Sequence, residues 1–258
     1  MKISIVTVCL NSVSTIEQAF DSVFSQDYSN IELIVVDGAS TDGTLAVIDK
    51  YRDKIGASIS EPDKGIYDAM NKGIDLATGD VIGILNSDDF YASTSIISQV
   101  VKEFENDDTD AVYGDVAIVR SRNTKKIVRY YSSKAFRPEG FAYGYMPAHP
   151  TFFTYKKFYE RQGGFKTDYH IAADYELLIR LLVKDKLRSR YMELHMITMR
   201  LGGRTSSSLY GYYILNKEVI RACRENGIQT GWLKILAKYF NKFRELRKPV
   251  PVKSLRDD

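Results

Sequence analysis

Acidic side chains recur just past short apolar runs in the first third of the chain. Asp37 closes Ile34-Val35-Val36 in VVDGASTDGT, Asp63 sits in EPDKGIYDAMNKG, and Asp88 and Asp89 follow residues 82–85 in GILNSDDFY. Carboxylates gathered at one edge of a sheet repel each other unless a cation or hydrogen-bond donors join them. A divalent cation carrying phosphate oxygens is the natural partner. It needs few protein carboxylates, because phosphates and water complete its shell. Each acid also has a plainer use. A lone Asp after a strand is commonly a turn or cap residue. Asp37 could accept a hydrogen bond from a base or ribose, Asp42 suits the N-cap of the next helix, and Ser87-Asp88-Asp89 would also serve as a cap.

The elements that must position these groups alternate between two periods. Residues 3–9 and 31–36 are apolar, β-branched runs of the kind buried on both faces of a sheet. Helical spacing marks 15–26, 41–52 and 65–77; short strands are expected at 57–60 and 80–85. Strands alternating with helices predict a mostly parallel sheet flanked by helices, with ligands at the carboxyl edge of the strands. Beyond Asp89 we expect a helix at 93–104 and strands at 111–119 and 126–131 around a Ser-Arg-Asn-Thr turn. A Gly-, Pro- and aromatic-rich loop is expected at 136–150. Further helices are expected at 172–184, 206–226 and 231–247.

The chain has 258 residues, with 44% apolar and 27% charged, which excludes wholesale disorder. A net charge of +3 is too small to imply a nucleic-acid binder. The charge is unevenly placed. Residues 232–258 hold eight Lys or Arg against three Asp or Glu, a net of +5, which leaves −2 for the rest. Trp232, Leu233, Ile235, Leu236, Tyr239, Phe240 and Phe243 accompany it, as in a basic helix lying on an anionic membrane surface. A terminal helix packed on its own domain would carry the same pattern. Cys9 and Cys223 form no disulfide framework and are read as reduced thiols. No signal peptide and no stretch of about 18 apolar residues is seen, so a cytoplasmic protein is expected, with peripheral contact with the inner membrane face as an option.

The segments TVCLN, VVDGASTDGT, DKGIYDAMNKG and GDVIGILNSDD, in this order and spacing, resemble family 2 inverting glycosyltransferases of the GT-A fold. The resemblance runs over about residues 1–205 and is strongest through 91. It implies a Rossmann-like α/β domain at 1–205, with a nucleotide-sugar half at 1–91, an acceptor half at 92–205 and a helical basic extension at 206–258. Thr7 to Asn11 match the segment that touches the nucleotide, and Asp37 the aspartate that reads its base. Asp63, Lys64 and Gly65 match the segment beside ribose and phosphates. Asn86-Ser87-Asp88 occupies the DxD motif, so Asp88 matches the carboxylate that binds Mn or Mg, and Asn86 replaces a charged ligand with a neutral one. Asp89 would support the metal indirectly or cap the next helix. Ala173-Asp174-Tyr175 lies where these enzymes carry an acidic pair ending in the catalytic base. That makes Asp174 the candidate to take the acceptor hydroxyl proton; its plainer reading is a first-turn acid. His149, in Met146-Pro147-Ala148-His149-Pro150-Thr151, could meet acceptor or diphosphate. Arg204, in GGRTS, could meet a phosphate.

The expected activity is therefore transfer of a sugar from a nucleotide sugar, a UDP-sugar foremost, to a hydroxyl of a glycan or lipid-linked saccharide in bacterial surface polysaccharide assembly. QxxRW is absent, which argues for one sugar per encounter. Two rivals stand beside this reading. A nucleotidyltransferase would need a Gly-rich basic phosphate loop after the first strand, and residues 10–16 hold neither Gly nor a basic side chain. A non-catalytic nucleotide-sugar scaffold would fit Asn86 and Ala173, but not Asp37, Asp88 and Asp174 together.

Overall fold

The computed structural model describes residues 1–121, 123–202 and 209–237. Among the described residues nine strands form one sheet: β1 (Ile3–Cys9), β2 (Ile31–Asp37), β3 (Ala57–Ser60), β4 (Val81–Ile84), β5 (Phe90–Tyr91), β6 (Ala111–Arg120), β7 (Asn123–Tyr131), β8 (Phe153–Tyr155) and β9 (Ser189–Leu201). Their order is β3-β2-β1-β4-β8-β6-β9-β5, with β7 paired to β6. The ladders of β1 with β2 and β4, β2 with β3, and β6 with β9 are parallel; those of β4 with β8, β5 with β9, and β6 with β7 and β8 are antiparallel.

Helices cover both faces. On one face α1 (Ile16–Phe24), α2 (Thr44–Lys50) and α4 (Ile96–Phe104) enclose a core with Phe20, Leu33 and Phe153. On the other, α3 (Ile66–Leu76), α5 (Lys156–Gln162), α6 (Ala173–Ile179) and α7 (Leu209–Glu225) pack around Val6, Val36, Tyr175 and Ile220. Gly73 sets the approach of α3, since a Cβ there would lie 2.3 Å from Val6 Cγ1. The first four strands and four helices lie where periodicity expects them. Strands β1, β2 and β4 are buried on both faces and so read as mostly apolar runs, whereas β3 alternates half-buried and exposed residues.

The second half departs from the sequence reading in four places. β9 was not expected. It interleaves Arg190, Glu193, His195 and Arg200 with apolar residues, and its register against β6 breaks between Tyr113 and Val116. β5, β8 and α5 are too short to show a period. The helix expected over 172–184 is α-helical only to Ile179 and widens to a π turn at Arg180–Lys184. The loop at 136–150 holds one 3-10 turn, Pro138–Tyr143, and ends where another, His149–Thr151, begins. Helical backbone follows over 232–237, and the rest of the expected final helix lies outside the described residues.

Candidate active site

Pairing β1 to β2 sets Cys9 opposite Asp37, and β4 flanks β1 on its other side. The loops after these three strands therefore converge at one edge of the sheet. Hydrogen bonds join them. Asn11 N donates to Ser40 Oγ (2.7 Å), Thr41 N to Asn11 Oδ1 (2.9 Å), Ser12 N to Thr44 Oγ1 (2.8 Å) and Ser87 Oγ to Ser12 Oγ (2.9 Å). Asn11 (φ 52°) and Ala39 (φ 65°) both hold the left-handed conformation. Strain of this kind persists only where the surroundings over-determine it. Asp42 does not occupy the N-cap of α2, which is Gly43. Its carboxylate accepts from Thr44 N (3.0 Å) and Val13 N (3.1 Å) and so ties two loops together.

Asp37 is fully buried. Its oxygens accept from Ser40 N (2.9 Å), the Ser40 hydroxyl, Ser60 Oγ (2.7 Å) and Cys9 Sγ (3.5 Å). Burial pushes its pKa up, and the bonds from Ser40, Ser60 and Cys9 outweigh this and hold it below the usual range. All its acceptor directions are used inside the fold, so a base would have to displace a serine to reach it. Asp63 comes over Gly38, where a Cβ would stand 2.5 Å from Asp63 Oδ2. Asp63 Oδ1 accepts from Gly65 N (2.8 Å), and Lys64 stands exposed beside it.

Two acceptors are left open at this edge. Thr7 Oγ1 and Asn86 Oδ1 are buried without a hydrogen-bond partner. Such orphans are uncommon, and an ion, a water or a ligand group can complete the set. Asp88 is partly exposed; burial raises its pKa, and Arg200 works against that rise. Asp89 is buried, and burial together with Asp88 drives its pKa well above the usual range. Asn86 Nδ2 donates to Asp89 Oδ2 (3.3 Å). An orphaned amide oxygen next to a carboxylate that lacks full compensation fits a hard divalent cation. Among the described residues no three His, Cys, Asp or Glu are poised to hold a metal by themselves, so phosphate oxygens would have to share the task.

Arg200, on the strand that periodicity missed, holds this loop from the far side. Its guanidinium donates to the Asp88 carbonyl and to Gln18 Oε1, and lies 5.1 Å from the Phe90 ring centroid. The only sequence signal for it is the apolar alternation through Leu194 and Met196 just upstream.

Asp174 sits in the first turn of α6, partly exposed. Burial raises its pKa, and a neighbouring His149 lowers it. The same pair appears from the other side: burial lowers the His149 pKa and Asp174 raises it. Tyr67, in the first turn of α3, donates to the Ile171 carbonyl (2.5 Å) and lies 3.5 Å from Asp174 Oδ1. The structure thus brings Asp174 and His149 together and joins them to the helix that follows Asp63-Lys64-Gly65. Asp115 was not singled out from the sequence. It is buried and accepts from Tyr130 (3.0 Å), Tyr191 (2.9 Å) and Ser133 N (2.8 Å), and Ser133 Oγ accepts from Ala148 N (3.1 Å), one residue before His149. Arg204 lies outside the described residues.

The mixed, mostly parallel α/β sheet flanked by helices has the architecture of GT-A type transferases. The family profile described as Glycosyl transferase family 2 matches residues 4–173, and the chain belongs to that family. It is a glycosyltransferase enzyme. A PGL/p-HBAD biosynthesis glycosyltransferase of Mycobacterium bovis is 29% identical over 222 residues, covering 84% of this chain and 82% of the relative. The UDP-Glc:alpha-D-GlcNAc-diphosphoundecaprenol beta-1,3-glucosyltransferase WfaP of Escherichia coli is 36% identical over 99 residues, 38% of this chain and 39% of WfaP. In fold, S. aureus TarS 1-349 in complex with UDP superposes with a TM-score of 0.67 at 18% identity, over 97% of this chain and 76% of that one. The mannosyltransferase PcManGT from Pyrobaculum calidifontis, in complex with GDP-Man and Mn2+, superposes at 0.59 and 18% identity, over 96% and 81%.

Proposed function

We propose that the protein moves a sugar from a UDP-sugar to a hydroxyl of a glycan or lipid-linked saccharide, with inversion at the anomeric carbon. The observation that carries this reading is the meeting of Tyr67 with Asp174. It joins the helix after Asp63-Lys64-Gly65 to the helix that carries the candidate base. Support for the donor class comes from the UDP complex of TarS and the name of WfaP.

Asn86 and Asp88 would hold a divalent metal, Mn or Mg, together with diphosphate oxygens. When bound, that metal offsets the negative charge growing on the leaving nucleoside diphosphate. Thr7, Asn11, Asp63 and Lys64 bind and orient the nucleotide in this scheme. Asp37 keeps the loop after β2 rigid, and Asp89 braces Asn86. Asp174 removes the proton from the acceptor hydroxyl as that oxygen attacks the anomeric carbon. A raised pKa strengthens it as a base, and partial exposure leaves it open to the acceptor. Arg204 would add to the grip on phosphate.

The acceptor side extends to an exposed aromatic patch. Tyr213 stacks on Trp232 at 5.8 Å, Lys234 Nζ lies 5.7 Å from the Tyr143 ring centroid, and Leu233 is 88% exposed. Among the described residues no helix is long and apolar enough to cross a membrane. A basic, aromatic surface beside the acceptor loop suits a peripheral seat on an anionic bilayer, where a lipid-linked acceptor would be presented.

Calorimetric titration with UDP, GDP, CDP and ADP, each with Mn, Mg or chelator, tests the donor half. Metal-dependent binding of UDP alone is the expected result. Folded protein that binds none of the four would sink the reading.

A further inference from the structure

The family profile ends at residue 173, just before Asp174. The firmest hold on the segment carrying Asp174 comes from α7, well beyond that match. Glu218, buried on α7, accepts backbone N–H bonds from His170 (2.8 Å), Ile171 (2.9 Å) and Ala172 (3.0 Å). These three amides lead into α6, whose N-cap residue Ala172 has no side chain to cap it. Glu218 satisfies these amides, the last of them the N–H of the N-cap residue, from a distant part of the chain. On the opposite side Tyr67 holds the Ile171 carbonyl and approaches Asp174. Residues 170–174 are therefore gripped between α7 and α3.

One turn further along α6, Asn226 Nδ2 donates to Glu176 Oε1 (3.1 Å), and Lys166 bridges Glu176 (2.9 Å) and Glu225 (2.8 Å). The seam between α6 and α7 is fixed at both ends. Adhesion alone would not call for this. A buried carboxylate carries a desolvation cost, and a well-packed apolar side chain often does as well for stability. What the carboxylate adds is direction, since three converging donors allow the backbone one arrangement.

We propose that Glu218 is a positioning residue that fixes the backbone of 170–172 so that the Asp174 carboxylate is aimed, beside His149, at the acceptor hydroxyl. The inference rests on Asp174 being the base. Displacement of a catalytic group by about 1 Å can cost on the order of a hundredfold in rate, so the brace has room to matter.

The test follows the His149 imidazole by NMR through a pH titration of the full chain, since Asp174 is the charged group that acts on it. Wild type is compared with Asp174→Asn, Glu218→Gln and Glu218→Asp, with melting curves recorded for each. Glu218→Asp keeps the charge but is one methylene too short to span the three amides. The expected result is a lower His149 midpoint in Asp174→Asn and a shift partway toward it in Glu218→Asp, with melting close to wild type. With UDP-glucose and an acceptor that it glycosylates, Glu218→Asp should lower kcat about tenfold at unchanged donor KM. A wild-type midpoint in both Glu218 variants, with Asp174→Asn shifted, overturns the positioning role alone. No shift in Asp174→Asn overturns the Asp174–His149 geometry and the base reading with it. Collapse of both Glu218 variants would make Glu218 a folding residue and also overturn the proposal.

Discussion

Asp174, Asp88 and Asn86 carry the sharpest expectations at the scale of single residues. Asp174→Asn should lower turnover by about 10²- to 10⁴-fold, while calorimetry finds UDP bound as in wild type. Because burial raises the Asp174 pKa, this proposed base ionises later than an ordinary aspartate as pH rises. The acid limb of the kcat profile should therefore lie above the usual carboxylate range. Asp88→Asn should abolish the difference between UDP binding with Mn and with chelator. Asn86→Asp should strengthen metal-dependent UDP binding several-fold, since it puts a charged ligand where an orphaned amide oxygen stands. A charged ligand there that left metal affinity unchanged would count against the metal site. Asp37, Asp88 and Asp174 were legible because acid type and place after or before an apolar run are local signals. Arg200, Asp115 and Glu218 were not, because each acts on a group far away in sequence. Asp37 shows the opposite limit: its position was visible, its four internal bonds were not.

At the scale of elements, the parallel strands β1, β2 and β4 were legible and β9 was not, for one reason. Burial on both faces writes a mostly apolar run, whereas β9 alternates irregularly across a bulge and carries charge along its length. The close seat of α3 on β1 gives a stability prediction. Gly73→Ala would drive a methyl into Val6 and should cost about 1–3 kcal/mol, read as a lower urea midpoint at unchanged slope. Glu32 gives a second. Burial pushes its pKa up, but bonds from Lys2, Ser4 and Thr78 outweigh burial and hold it at about 2. A depressed native pKa contributes stability that is full above the unfolded value of about 4.5 and is lost as pH falls toward 2. Glu32→Gln should therefore lower the melting temperature at pH 7 and flatten its fall between pH 5 and 2.

At the scale of the whole molecule, α7 from the far end of the chain packs on the face that carries α3 and α6, and its Tyr213 stacks on Trp232. If that aromatic patch seats on a bilayer, the protein should co-sediment with vesicles containing phosphatidylglycerol and release as salt rises. Trp232→Ala with Leu233→Ala should weaken this binding without altering UDP affinity. Equal binding to neutral vesicles at high salt would refute an electrostatic seat.

The sheet order also governs when the enzyme becomes competent during synthesis. β1 to β4 can pair as they leave the ribosome. The Asp88 loop, however, is held by Arg200, which also reaches back to Gln18, and the Asp174 segment waits for Glu218. Contacts of such long sequence separation form late. A nascent or prematurely terminated chain can thus build the donor-side strands while both halves of its chemistry remain unassembled.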